Sequence, residues 1–280
     1  MTNRPRGALR YHQGDSSVTD DVPKIDTTVP HSARIWNYWL GGRDNYEIDR
    51  VVGERYQSTF PGVVDLARAS RAFLVRSIRY MAETAGVRQF IDIGTGLPTA
   101  ENTHEVAQNV APDTRVLYVD NDPLVLAHAR ALLISGPEGS TEYLQADVRE
   151  PERILARAAE VTDPYRPVGL ILSGVMGHVA PYAEARSAVR RLLDGLPAGS
   201  YLSLNDGVTG DAAYTEAQRD YNATGAAPYW LREPEEIEGF FDGLQLVPPG
   251  VVACSRWRPG RRSPAAGPEV AVYGGVGRKP

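Results

Sequence analysis

The chain has 280 residues, 42% hydrophobic and 23% charged, enough to bury a sizeable core in a soluble globular protein. A net charge of −5 leaves no basic surplus to neutralise phosphates, which argues against a nucleic-acid partner. The single cysteine, Cys254, excludes an internal disulfide and a multi-Cys zinc site, so no metal is expected. No apolar stretch reaches the length of a membrane span and no signal peptide opens the chain; a cytoplasmic location without a membrane partner is the expectation.

Residues 1–28 are polar and without periodicity, and read as a disordered tail. From about Pro30 the pattern turns helical, and residues 29–88 read as an N-terminal helical cap. "SARIWNYWL" offers Ser32 as N-cap and an aromatic face at Ile35, Tyr38 and Trp39, ending at Gly41-Gly42. "RAFLVRSIRYMAETAG" puts Phe73, Leu74, Ile78, Met81 and Ala82 on one stripe, with Gly86 as the stop. At residue 89 the period changes. Strands are expected at 89–94, 115–122, 141–148, 167–175 and 199–206, alternating with helices at 102–112, 123–136, 151–161 and 182–196. Such alternation predicts an α/β fold with a doubly wound, mostly parallel sheet. After a Gly/Ala/Tyr-rich stretch and a helix at 234–243, "LQLVPPGVV" and "VAVYGGVG" form an antiparallel pair at the sheet edge, for seven strands in all. The stretch 207–233 is long for a loop, is expected to contain a short helix, and has the character of an acceptor-side insertion.

Ligands of open parallel sheets bind beyond the carboxyl ends of the strands, so the loop "IDIGTGLPTAENTHE" after the first strand is the place to look. A P-loop needs Gly-Lys-Ser/Thr, and this loop has no lysine. A nicotinamide Rossmann site wants a third glycine and an immediate helix; here Pro98 intervenes, and Asp92 would repel a pyrophosphate. S-Adenosylmethionine suits the residues better. Its methionine end is zwitterionic and its sulfur cationic, so a carboxylate at the strand end is favourable. Gly94 and Gly96 permit close backbone approach. Asp120, ending the second strand, is placed to accept from both ribose hydroxyls. Asp147, at the end of the third, is placed to accept from the adenine amino group while the Val148 backbone donates to the ring. Each aspartate alone has a plainer reading as a cap or turn residue; three in phase with a glycine loop do not.

"FIDIGTGLPT", "VLYVDNDP" and "LQADV" resemble the first three motifs of the Rossmann-like S-adenosylmethionine-dependent methyltransferases, over roughly residues 89–206. More narrowly, "HSARIWNYWLGGRDNYEIDR", "GTGLPTAENTHEVAQ" and "APYWLREPEEIEGFFDGLQLV" resemble an actinobacterial family of S-adenosylmethionine methyltransferases without an assigned substrate. The resemblance implies that fold, an N-terminal helical extension and S-adenosyl-L-methionine as cofactor. It assigns Asp92, Gly94, Thr95 and Gly96 to the methionine end, Asp120 and Asn121 to the ribose, and Asp147 and Val148 to the adenine, with Ser173 near the transferred methyl. The acidic or Asn-Pro-Pro element that many amino-directed methyltransferases carry after the fourth strand is "SGVMGHV" here, which speaks against DNA-adenine chemistry.

His178 is the best-placed histidine for a general base, against a plain loop role. His104 reads as a surface or supporting residue, and Asp206 as acceptor ligand or cap. In the N-terminal segment, Arg34 or Arg43 is a candidate for the cofactor carboxylate and Tyr38 or Tyr46 for the sulfonium, with Asn37, Gly42 and Asn45 completing a lid; the two tryptophans read as packing. The expected activity is methyl transfer to a small molecule. A non-catalytic cofactor-binding sensor is the alternative, and a nicotinamide oxidoreductase the third reading.

Overall fold

Five short strands, four of them carrying two or more of Ile, Leu and Val, build the centre of the molecule. In the computed structural model, which describes residues 26–99, 101–260 and 269–280, they are β1 (Gln89–Ile93), β2 (Arg115–Asp120), β3 (Ser140–Gln145), β4 (Gly169–Ser173) and β5 (Tyr201–Gly207). All five are parallel, in the order β3-β2-β1-β4-β5. The period of two sends alternate side chains to opposite cores: Phe90 and Ile171 to one face, Ile91, Leu170 and Leu172 to the other. Order reverses between β1 and β4, and this switch point positions the site.

β8 (Val272–Arg278) runs antiparallel to β5, as expected of the end pair. Its partner differs. The Pro248-Pro249-Gly250 turn cannot sustain a ladder, so "LQLVPPGVV" becomes β6 (Gln245–Leu246) and β7 (Val252–Ala253), both antiparallel to β8, and the sheet has eight strands. β1 to β4 also stop earlier than expected. β3 ends at Gln145, which moves Asp147 and Val148 into the following loop.

α1 (Ser32–Trp39) is capped by the His31 side chain, which accepts from the Ala33 N–H, and not by Ser32. α2 (Glu47–Thr59) was not legible: its buried positions, Asp49, Val52, Gly53 and Tyr56, hold too few apolar side chains to make a stripe. α3 (Val63–Arg79) starts a helical turn or more before the expected position and continues in a wider turn over Tyr80–Thr84. Phe73, Ile78 and Met81 from this stretch lie in the core with Trp257, so it forms a layer of the sheet domain. α4 (Thr103–Gln108), α5 (Pro123–Leu132), α6 (Pro151–Val161) and α7 (Tyr182–Asp194) complete the two layers. α8 (Ala212–Asn222) is the helix expected inside 207–233, and α9 (Pro234–Gly239) precedes β6. Residues 1–25 of the expected disordered tail lie outside the described residues. Residues 26–29 are tied to α1, because Arg34 donates to the Asp26 and Val29 carbonyls. Among the described residues no helix is long and apolar enough to cross a membrane.

Candidate functional site

The loop after β1 turns sharply where Gly94 and Gly96 take positive φ. Gly94 (φ 73°) donates to the Val119 carbonyl at 2.8 Å, and a Cβ there would overlap the Val175 side chain. Gly96 (φ 64°) donates to Asp120 Oδ2 at 3.0 Å, while Asp120 Oδ1 accepts from the Asp122 N–H at 3.0 Å. The carboxylate ending β2 thus braces the glycine loop. Burial raises the pKa of Asp120, and its backbone donors oppose the rise. Asp92 is buried and accepts from Thr103 Oγ1 at 2.5 Å; burial pushes its carboxyl up to about 6.

This loop edges a cavity of about 570 Å³ over the switch point. Asp92, Gly94, Thr95, Gly96 and Asp120 line it. So do Asn121, Asp147, Val148, Ser173 and His178. The ten come from the ends of four strands, so the sheet itself gathers them. Asp147 is already engaged: Arg149 grips it through two nitrogens at 2.8 and 2.9 Å, and Asn121 donates to it at 3.1 Å. The Arg149 bonds hold its carboxyl low, at about 2. Ser173 Oγ donates to Asn205 Oδ1 at 2.8 Å.

Three expected cofactor residues lie off the cavity. Arg34 is buried in an ion pair with Asp49 at 2.9 Å, and this pair ties α1 to α2. A buried arginine needs such a partner, which is why it cannot also serve the cavity. Tyr38 directs its hydroxyl to Glu54 at 3.3 Å. Gly42 is required because a Cβ would overlap the Asn37 amide, whose Oδ1 accepts from Asp44 N and Asn45 Nδ2. Asn37 itself lines the cavity, and Gly42, Asp44 and Asn45 make the turn that it holds. Trp36 and Trp39 line the cavity, in contrast to their expected role as packing alone. His104 is buried rather than superficial; its backbone N–H and Nδ1 both meet the Tyr118 hydroxyl at 2.9 Å.

The far half of the cavity is aromatic. Trp36 and Trp39 from α1, Tyr56 from α2, Tyr214 and Tyr221 from α8, and Tyr229 line it. Most of the polar ends are spent on the protein: Tyr56 donates to Gln218 at 2.9 Å, Tyr221 to the Ala227 carbonyl at 3.1 Å, Trp39 to the Gly53 carbonyl at 3.2 Å. Tyr229 donates to Asp206 at 2.6 Å and accepts from the Gly207 N–H. Asp206, fully buried, also accepts from Met176 N and Gly177 N at 3.2 Å; burial raises its carboxyl to about 6. It caps the turn that carries His178. The His178 ring meets Tyr229 edge-on at 5.1 Å, and its Nδ1 lies 2.8 Å from the Pro228 carbonyl. A carbonyl only accepts, so Nδ1 carries the proton and Nε2 is the ring's acceptor. Burial lowers the His178 pKa and favours the neutral ring. His31, which lines the cavity, meets Asp122 Oδ2 through Nε2 at 2.8 Å and fastens the start of α1 to the start of α5.

Sequence reasoning missed Arg71, which reaches the cavity from α3 beside Asp92. Its signal was faint: Val63, Leu66, Ser70 and Leu74 mark the cavity-facing stripe of α3, and Arg71 borders it.

A bare-backbone loop, a buried acid near the end of β1, an acid closing β2 and a further acid after β3 thus meet along one rim of the sheet. The family model for S-adenosyl methyltransferases matches residues 18–280, and the chain belongs to that family. A solved DUF574 family protein from Streptomyces avermitilis MA-4680 is 42% identical, with 92% of this chain and 100% of that one covered and a TM-score of 0.87. A solved protein from Thermobifida fusca YX, provisionally assigned as a methyltransferase, is 39% identical over 93% of this chain and 99% of that one, with a TM-score of 0.84. No curated protein matches the chain. The protein is a methyltransferase that uses S-adenosylmethionine; the nicotinamide and sensor readings fall away with the family assignment. The residues present fit that cofactor: three carboxylates line the strand-end side of the cavity, and the loop after β1 takes positive φ at both glycines.

Proposed function

We propose that the protein methylates a small, largely apolar molecule held under the aromatic roof. The strand ends would hold the cofactor: Asp147 and Val148 its adenine, Asp120 and Asn121 its ribose, and Asp92 with Gly94–Gly96 its methionine end. Ser173, which lines the cavity, would stand near the transferred methyl. When bound, the cofactor supplies a methyl group activated by its sulfonium. The chain's own residues do the rest. Asp120 holds the loop backbone in place, which aligns the bound groups before reaction. His178 receives a proton at Nε2 from the acceptor, while the Pro228 carbonyl fixes its tautomer. Tyr229 packs on that ring and is itself held on both backbone sides by Asn222, whose Nδ2 donates to the Tyr229 carbonyl and whose Oδ1 accepts from its N–H. The contact between His31 and Asp122 holds the start of α1 against the start of α5.

The observation that carries this reading is the single cavity that joins a carboxylate-lined, bare-backbone half to an aromatic half with a neutral histidine. It also supports a division of labour. Helices within 29–88 roof the site, 89–280 bind cofactor, and 207–233 wall the acceptor half through Tyr214, Tyr221 and Tyr229. Tyrosine hydroxyls tied back into the protein leave ring surfaces facing the cavity, and a net charge of −5 disfavours nucleic acid. Incubation with methyl-labelled cofactor and actinobacterial extract tests it. Label is expected in an organic-extractable product of small mass; label in macromolecules alone would overturn the small-molecule acceptor.

A further inference from the structure

His178 is carried on a single short turn, Met176–His178, whose own hydrogen bonds hold it less firmly than an α-helix would. Its outside partners come largely from one stretch of chain, residues 228–232. The Pro228 carbonyl accepts from the ring, and the Trp230 N–H donates to the Gly177 carbonyl at 2.8 Å. Arg232 takes the remaining carbonyls. Its Nη2 donates to Met176 O at 3.3 Å and to Val179 O, and its Nη1 donates to Ala180 O at 3.2 Å. These carbonyls lie on both sides of His178 in the chain. Asp206 meets the same turn from its N–H side, and the charge of Arg232 favours the ionised Asp206 carboxylate. Arg232 is itself buried and tied to the end of β5: its N–H donates to the Gly207 carbonyl at 3.1 Å, and its carbonyl accepts from the Thr209 N–H at 2.9 Å. A buried charge is costly, and a simpler anchor would do without one. The guanidinium offers a planar fork of five donors, enough for three carbonyls at once, and no neutral side chain offers as many.

We propose that Arg232 is a positioning residue for methyl transfer: it clamps residues 176–180 so that the His178 ring stays against Pro228, with Nε2 left to the acceptor. The inference rests on His178 being the base, as proposed above. The plain alternative is that Arg232 only stabilises the fold.

Two readouts separate these. The first needs no acceptor: nitrogen-resolved NMR follows the Nδ1–H of His178, identified by its loss in His178→Gln. In Arg232→Met that proton is expected to exchange with water about 10-fold faster or more, because the turn that carries the ring has lost three hydrogen bonds. The second is the initial rate at which saturating methyl-labelled cofactor labels an organic-extractable product in actinobacterial extract. It is expected to fall about 100-fold, the cost of misplacing a reacting group by about an ångström, while S-adenosylhomocysteine binds within about twofold of wild type by calorimetry. Arg232→Lys keeps the charge but not the fork, and is expected to restore part of both readouts. It carries the test if the methionine variant does not fold by circular dichroism. A folded Arg232→Met, or Arg232→Lys in its place, whose His178 signal matches wild type overturns the proposal. So does a lowered Tm with full transfer, or a loss of cofactor affinity in step with the rate. Full transfer by His178→Gln instead removes His178 as the base and with it the reading beneath the proposal. Absence of labelled product from wild type counts against the function proposed above and not against the clamp, which the NMR arm still reads.

Discussion

Replacing Asp120 with alanine separates its two duties. In the folded protein its carboxylate accepts backbone N–H groups from Gly96 and Asp122, both at 3.0 Å. Hydrogen bonds to a charged acceptor are worth about 1.5–3 kcal/mol each, so losing both costs about 3–6 kcal/mol before compensation. Removing a carboxylate whose pKa burial has raised returns part of that. The expected net destabilisation is about 2 kcal/mol, a fall in Tm of about 4 °C for a chain of this size. Cofactor binding should suffer more. The ribose loses an ionised acceptor and the loop loses its brace, so affinity for S-adenosylhomocysteine is expected to fall about 30- to 150-fold, or 2–3 kcal/mol. Thermal unfolding with and without ligand, together with calorimetric titration, reads both effects. Asp120→Asn, which keeps one carbonyl acceptor for the loop, should recover most of the Tm and little of the affinity. A folded alanine variant with lowered Tm and unchanged affinity would show that Asp120 only supports the loop.

Gly94→Ala meets both a positive φ and the Val175 side chain, and should cost about 2–4 kcal/mol by urea unfolding. Adding Val175→Ala should relieve about 1 kcal/mol or more of that; strictly additive losses would mean that no steric coupling exists. Nitrogen-resolved NMR of His178 should find the proton on Nδ1 and a pKa below the usual 6.5; an Nε2–H tautomer, or titration above that value, would remove it as a base accepting at Nε2. Asp206, held near 6 in the fold and about 3.8 when unfolded, binds more protons folded than unfolded between those values, so its contribution to stability declines as pH rises through that window. Asp206→Asn should therefore gain on wild type by up to about 3 kcal/mol from pH 4 to pH 7.5. A difference between the two that does not change with pH would refute the buried charge.

The strand–helix alternation, the glycine loop and the three acids were legible in order along the chain. They depend on local rules: a period of two for strands covered on both faces, and backbone geometry that only glycine takes without cost. Asp92, Asp120 and Asp147 follow successive strands of a parallel sheet, and any such sheet brings those strand ends to one edge. The choice among cations did not follow. Arg34 and Arg71 both lie on amphipathic helices, and nothing local distinguishes them. Only packing shows that Asp49 reaches Arg34 across α1 and α2, while α3 turns Arg71 toward the cavity. The roof was hidden for the same reason, since Tyr56 and Gln218 meet across 162 positions of chain. A motif read along the chain locates the ligand's contact with the backbone. Which side chains converge over it depends on how the helices dock, because burial and pairing of distant groups are settled by the whole core and not by neighbours in sequence.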